Sequence, residues 1–266
     1  MKFAGALAAV IFLAAGAAPA RADEIAVSIP SPRPGITETF AYQEPPQPRA
    51  VAILFMGGNG LIGISGAGGP ASLAHPGNFL IRARDKFVAH GIATIAVDPP
   101  SDMSSGLDGA FRESADYAQD IAAVIAWAHQ KVKAPLWLVG TSMGTISAAN
   151  VAVRMPGQYD GLVLTSSVSA ASKRGDYGNG VLSIDLGLVK TPALVLFNPQ
   201  DTCAVSPPEN APAIAKKLTA SPRVALKQID GGDTPKSAPC EAFSYHGYLG
   251  VEQQAVDAIA DFILAK

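Results

Sequence analysis

Apolar residues in this chain fall into short, β-branched runs separated by stretches of helical spacing. The runs occupy residues 24–29, 36–42, 50–56, 92–97, 136–140, 161–165, 193–197 and 224–229. Their length and their content of valine, isoleucine and aromatic residues predict strands. Between the later runs, apolar residues recur at three- and four-residue steps, which predicts helices over 78–90, 114–132, 142–154, 208–219 and 251–264. Residues 114–132 show the pattern best. Ala118, Ile121, Ala122, Ile125 and Ala128 share one face, while Asp116 and Asp120 occupy the first turns, where the helix dipole favours acids. Alternating strands and helices predict an α/β fold: a mostly parallel sheet of eight strands with helices over both faces.

The connections refine this picture. Pro45-Pro46-Gln47-Pro48 reads as a rigid connector before the third strand. Residues 57–77 contain eight glycines, and so long a loop inside a domain is usually functional. The connection 166–191 has room for a loop and one helical turn, so any cap over the sheet is minimal.

The first residues follow a different rule. Lys2 precedes an apolar stretch from residue 3 to 17, and Ala20-Arg21-Ala22 reads as a cleavage site ahead of Asp23. That pattern predicts a secretory signal peptide at residues 1–22 and a single exported domain at 23–266, periplasmic or secreted. A membrane anchor would need ~20 apolar residues. Loss of Lys2 and Arg21 takes the net charge from −2 to −4. No basic cluster remains, which argues against nucleic acid or an anionic membrane as a partner. Export and an even cysteine count predict a bridge between Cys203 and Cys240, worth ~3–4 kcal/mol in the chain-entropy model.

Gly140-Thr141-Ser142-Met143-Gly144 is G-x-S-x-G at a predicted strand-to-helix junction. Such a turn strains its serine into exposure, and the flanking glycines avoid collision with the neighbouring strand and helix. A serine nucleophile needs a base. His90 and His129 end helices, and His75 lies in the glycine-rich loop with possible substrate contact. His246 follows the last strand, where a loop reaches the carboxyl edge of the sheet, and it is the expected base. Asp201 directly follows strand 193–197 and is the expected acid. Asp176 and Asp185 are weaker rivals, and Asp98 and Asp102 read as loop-shaping or pocket-lining. The oxyanion hole should combine the Met143 amide with one from the loop after the third strand, Gly58 first, with Gly57 and Asn59 as alternatives. No phosphate-binding signature is present in that loop, and no metal or organic cofactor is implied.

With these residues in hand, the chain resembles an α/β-hydrolase over essentially all of residues 23–266, in the order Ser142, Asp201, His246. More narrowly it resembles exported bacterial α/β-hydrolases with a G-T-S-x-G-T elbow, a D-x-C turn and a P-C…H-G segment. Those stand here at residues 140–145, 201–203, and 239–240 with 246–247. The usual His-Gly of the oxyanion loop is Met56-Gly57. The resemblance implies a serine hydrolase acting on a small-molecule or oligomeric ester through an acyl-enzyme. A peptidase or amidase, an acyltransferase and a non-catalytic binding protein on the same fold are the alternatives. A Cys203–Cys240 bridge would staple the acid loop to the histidine loop.

Overall fold

Each of the eight apolar runs forms a strand of one sheet. The computed structural model describes Met1, residues 23–171 and residues 178–265. The expected signal peptide, beyond Met1, and the rival acid Asp176 lie outside the described residues.

The sheet is built from β1 (Ile25–Pro30), β2 (Thr37–Gln43), β3 (Ala50–Phe55), β6 (Ile92–Val97), β7 (Leu136–Thr141), β8 (Gly161–Thr165), β9 (Ala193–Phe197) and β10 (Val224–Gln228). Their spatial order is β1-β2-β6-β3-β7-β8-β9-β10. Only β2 runs against the rest, pairing antiparallel with β1 and with β6. A short hairpin inside the glycine-rich loop supplies the remaining two strands, β4 (Ile64–Ser65) and β5 (Ser72–Leu73). The periodicity gave no sign of it, because two-residue strands are below the length at which a pattern forms.

Side-chain alternation divides the core between the two faces. On β3, Val51, Ile53 and Phe55 join a layer with α4 (Ala115–Lys131), α5 (Gly144–Arg154) and α6 (Ala211–Lys217). Ala52 and Leu54 point the other way, toward α1 (Phe79–Arg82), α2 (Arg84–Ala89) and α7 (Glu252–Leu264). All six residues of β3 are buried, as are those of β6 and β7, which is why these strands read as continuous apolar runs. The edge strand β10 is mostly exposed.

Two helices differ from expectation. The helix expected over 78–90 is two pieces, α1 and α2, meeting at Ala83, and the Arg84 side chain donates to the Ile81 carbonyl at 2.5 Å at that break. The short α3 (Gly109–Arg112) has no apolar periodicity and was not expected. Between β8 and β9 the described residues hold two 3₁₀ turns, Gly180–Ser183 and Leu186–Leu188, and no longer helix. No helix among the described residues is long and apolar enough to cross a membrane.

Candidate active site

Ser142 sits where β7 stops and α5 begins, at φ +53°, a left-handed conformation costing a residue with a Cβ roughly 1–2 kcal/mol. Close packing holds it there. A Cβ on Gly140 would stand 2.4 Å from the Gly144 carbonyl oxygen, and one on Gly144 would stand 2.0 Å from that of Phe55. Either contact is impossible, so both positions require glycine. The Ser142 amide donates to the Thr165 carbonyl at 3.0 Å, and its own carbonyl accepts from the Thr145 amide at 2.9 Å and hydroxyl at 2.6 Å. The strained backbone is therefore fully hydrogen-bonded, and the side chain is left for chemistry.

Asp201 and His246 meet across 45 residues of chain. His246 Nδ1 and Asp201 Oδ2 are 2.7 Å apart, and both residues are buried. The other carboxylate oxygen, Oδ1, accepts from the Cys203 amide at 2.8 Å. The His246 carbonyl accepts from Ser166 Oγ at 2.8 Å, and its amide donates to Ser244 Oγ at 3.2 Å. His246 Nε2 is buried and has no hydrogen-bond partner. A carboxylate on Nδ1 fixes the proton there and leaves Nε2 as the basic nitrogen. The Cys203–Cys240 disulfide is formed, and it links the Asp201 turn to the segment leading to His246.

Ser142 and His246 line one cavity of about 390 Å³, together with Met56, Gly58, His75 and Asn78. Gly57 approaches the serine so closely that a Cβ there would stand 2.8 Å from Ser142 Cβ. Gly58 adopts φ +57°, which glycine accepts freely. Met143 is the cap residue of α5, next to the serine. Among the described residues neither the Met143 nor the Gly58 amide donates in the backbone hydrogen bonds of these turns, and Gly58 lines the cavity.

A model of the family described as Serine aminopeptidase, S33 matches residues 76–227, more than half of the chain. The chain belongs to this α/β-hydrolase family. The matched span contains Ser142 and Asp201 and stops short of His246. No curated protein matches the sequence. Among solved structures, the esterase Est1E from Butyrivibrio proteoclasticus is 16% identical with a TM-score of 0.60, over 90% of this chain and 97% of that one. A serine hydrolase without lid from Xanthomonas campestris is 16% identical with a TM-score of 0.60, over 92% and 97%. A dienelactone hydrolase from Anabaena variabilis is 13% identical with a TM-score of 0.60, over 91% and 97%. At these identities the likeness is one of fold.

The remaining polar residues of this α/β-hydrolase divide by what they touch. Asp98 accepts from the amides of Ile62, Gly63 and Ile64 at 2.7, 3.1 and 2.7 Å, and so shapes the glycine-rich loop. Asp102 pairs with Arg33. His90 contacts Asp257, His129 contacts the Gln158 carbonyl, and Asp185 begins a 3₁₀ turn. His75 is exposed at the cavity wall. Arg112 gave no sign in the sequence. It is fully buried, donates to Ser147 Oγ at 2.7 Å and to the Gly58 carbonyl at 3.0 Å, and so ties α5 to the glycine-rich loop. Desolvation pulls its guanidinium down to about 10, still cationic at neutral pH. Among the described residues no group of three or more His, Cys, Asp or Glu side chains is arranged to hold a metal.

Proposed function

We propose that this chain is an exported serine ester hydrolase whose nucleophile is Ser142, base His246 and acid Asp201. One observation carries the reading. A buried imidazole has Nδ1 on a carboxylate and Nε2 unpaired, in the cavity of a serine held at φ +53°. An unpaired buried nitrogen is costly for stability alone, and a proton acceptor beside a nucleophile requires one.

In this mechanism Ser142 Oγ adds to the substrate carbonyl carbon as its proton passes to His246 Nε2. The carbonyl oxygen takes up the negative charge and accepts from the Met143 and Gly58 amides. Collapse expels the alcohol, which leaves with the proton from Nε2. Water repeats the sequence on the acyl-enzyme and releases the acid. Asp201 holds the tautomer throughout. An ester needs less leaving-group protonation than an amide, and esterases stand among the structural neighbours. The family description, an aminopeptidase, favours amides as a second reading.

The test is a fluorophosphonate probe with a panel of p-nitrophenyl esters of increasing acyl length, run beside the matching p-nitroanilides. The wild type is expected to be labelled at Ser142 and to cleave esters faster than anilides. Ser142→Ala should lose labelling and roughly a million-fold in kcat with the fold intact. More than a tenth of wild-type turnover in that variant removes Ser142 from the mechanism, and faster anilide cleavage selects the amidase.

A further inference from the structure

The cavity beside Ser142 contains a side-chain donor that the mechanism above does not use. Asn78 ends the glycine-rich loop and caps α1, where its Oδ1 accepts from the Leu80 amide at 3.1 Å. That bond decides which way the side-chain amide faces, because only the oxygen can accept from an N–H. Nδ2 is turned off the helix, and among the described residues it donates to no atom of the chain. Asn78 lines the cavity that holds Ser142. A methyl group built on Gly57 would stand 2.8 Å from Ser142 Cβ and 3.4 Å from Asn78 Nδ2, so little more than one such group separates the two.

The residues on either side of Asn78 are fastened to the histidine loop. The Arg82 guanidinium donates to the carbonyls of Gly77 at 2.8 Å and Gly247 at 2.6 Å. The ring of Phe79 lies 4.7 Å from that of Tyr248. Gly77 and Phe79 flank Asn78, and Gly247 and Tyr248 follow His246. Donor and base are thereby held in one frame, and a donor fixed before the substrate arrives needs no reorganisation during reaction.

We propose that Asn78 Nδ2 is a third donor to the oxygen that becomes negative as Ser142 attacks, beside the Met143 and Gly58 amides. The inference rests on the serine-hydrolase reading. Asn78 keeps its proton: the Ser142 proton goes to His246 Nε2 and then to the leaving alcohol, and Nδ2–H stabilises only the oxyanion between those transfers. Because the charge is greatest in the transition state, the loss belongs in kcat rather than KM.

The experiment exploits the two ends of the Asn78 side chain. Asn78→Ser retains a helix-capping oxygen but lacks the reach to the cavity, and Asn78→Asp retains the cap and replaces the donor with an acceptor. Both should melt near the wild-type temperature, with kcat toward p-nitrophenyl esters down about 10²–10³-fold and KM within threefold. Asn78→Ala should lose the cap as well and melt lower. A purely structural Asn78 gives the opposite pattern, with Asn78→Ser within threefold of wild type in kcat, and that result overturns the inference. Where either capping variant fails to fold, the other is read in the same way. Fluorophosphonate labelling of the wild type separates the two claims. No label at Ser142 sinks the hydrolase reading and this inference with it. A labelled wild type with a fully active Asn78→Ser sinks the Asn78 assignment alone.

Discussion

The Cys203–Cys240 bridge offers the sharpest test of how the site is held together. Its two ends differ: Cys203 is buried and its amide holds Asp201 Oδ1, whereas Cys240 is exposed and lines the cavity. The bridge spans a sequence separation of 37 residues. The chain-entropy model then gives about 4 kcal/mol of stabilisation for such a loop. For a domain of this length each kcal/mol is worth roughly 2–4 °C, so Cys203→Ser with Cys240→Ser should lower Tm by roughly 8–16 °C. Activity should fall well below that transition too. The Asp201 turn loses its tether to the histidine loop, and a misplacement of ~1 Å in catalytic groups costs on the order of 100-fold in rate. Calorimetry and ester hydrolysis at 20 °C read the two effects separately. Intact mass after alkylation without reduction checks the bridge itself, with no alkyl group expected. Two alkylated thiols in protein from an oxidising compartment refute the bridge. A double variant with wild-type Tm and kcat refutes the role given to it.

Gly144→Ala should prevent the elbow from forming, because the new methyl would meet the Phe55 carbonyl at 2.0 Å and backbone cannot yield that far. The expected result is loss of soluble protein or of fluorophosphonate labelling, and a labelled, stable variant rejects the packing argument. Glu38 is buried on β2 and its carboxyl is pushed up to about 9, chiefly by desolvation, then by the nearby charge of Asp120. The folded chain thus keeps a proton that the unfolded chain releases near 4.5, so stability falls as pH rises from about 4.5 to about 9. Glu38→Gln should flatten that part of the Tm-against-pH curve, and an unchanged slope contradicts it.

Much of this architecture could be read from the sequence because burial on both faces of a sheet leaves an unbroken apolar run. That is why β3, β6 and β7 were found to within a residue of their ends. The elbow was readable for a similar reason, since the glycines at 140 and 144 answer local collisions that any chain making this turn must avoid. Asn78, Arg112 and Glu38 carry no such local mark. Asn78 announces a helix start, and its second role exists only because β7 brings Ser142 beside it. Arg112 stands on a four-residue helix, and its meaning comes from Ser147 and the Gly58 carbonyl, far away in sequence. Glu38 occupies a strand position that alternation alone does not flag as dry.

The two acids that follow strands show what separates a structural carboxylate from one free to orient a base. Asp98 follows β6 and Asp201 follows β9, and sequence order alone favoured the second. The structure supplies a physical reason. Asp98 commits both oxygens to three amides of the glycine-rich loop, two on Oδ1 and one on Oδ2, which makes it the clamp of that loop. Asp201 gives Oδ1 to a single amide, that of Cys203, and keeps Oδ2 for His246 Nδ1. A carboxylate that must hold an imidazolium through a catalytic cycle needs one oxygen anchored and the other unencumbered. Asp201 meets that condition and Asp98 does not, which is a stronger ground for the assignment than the order of residues along the chain.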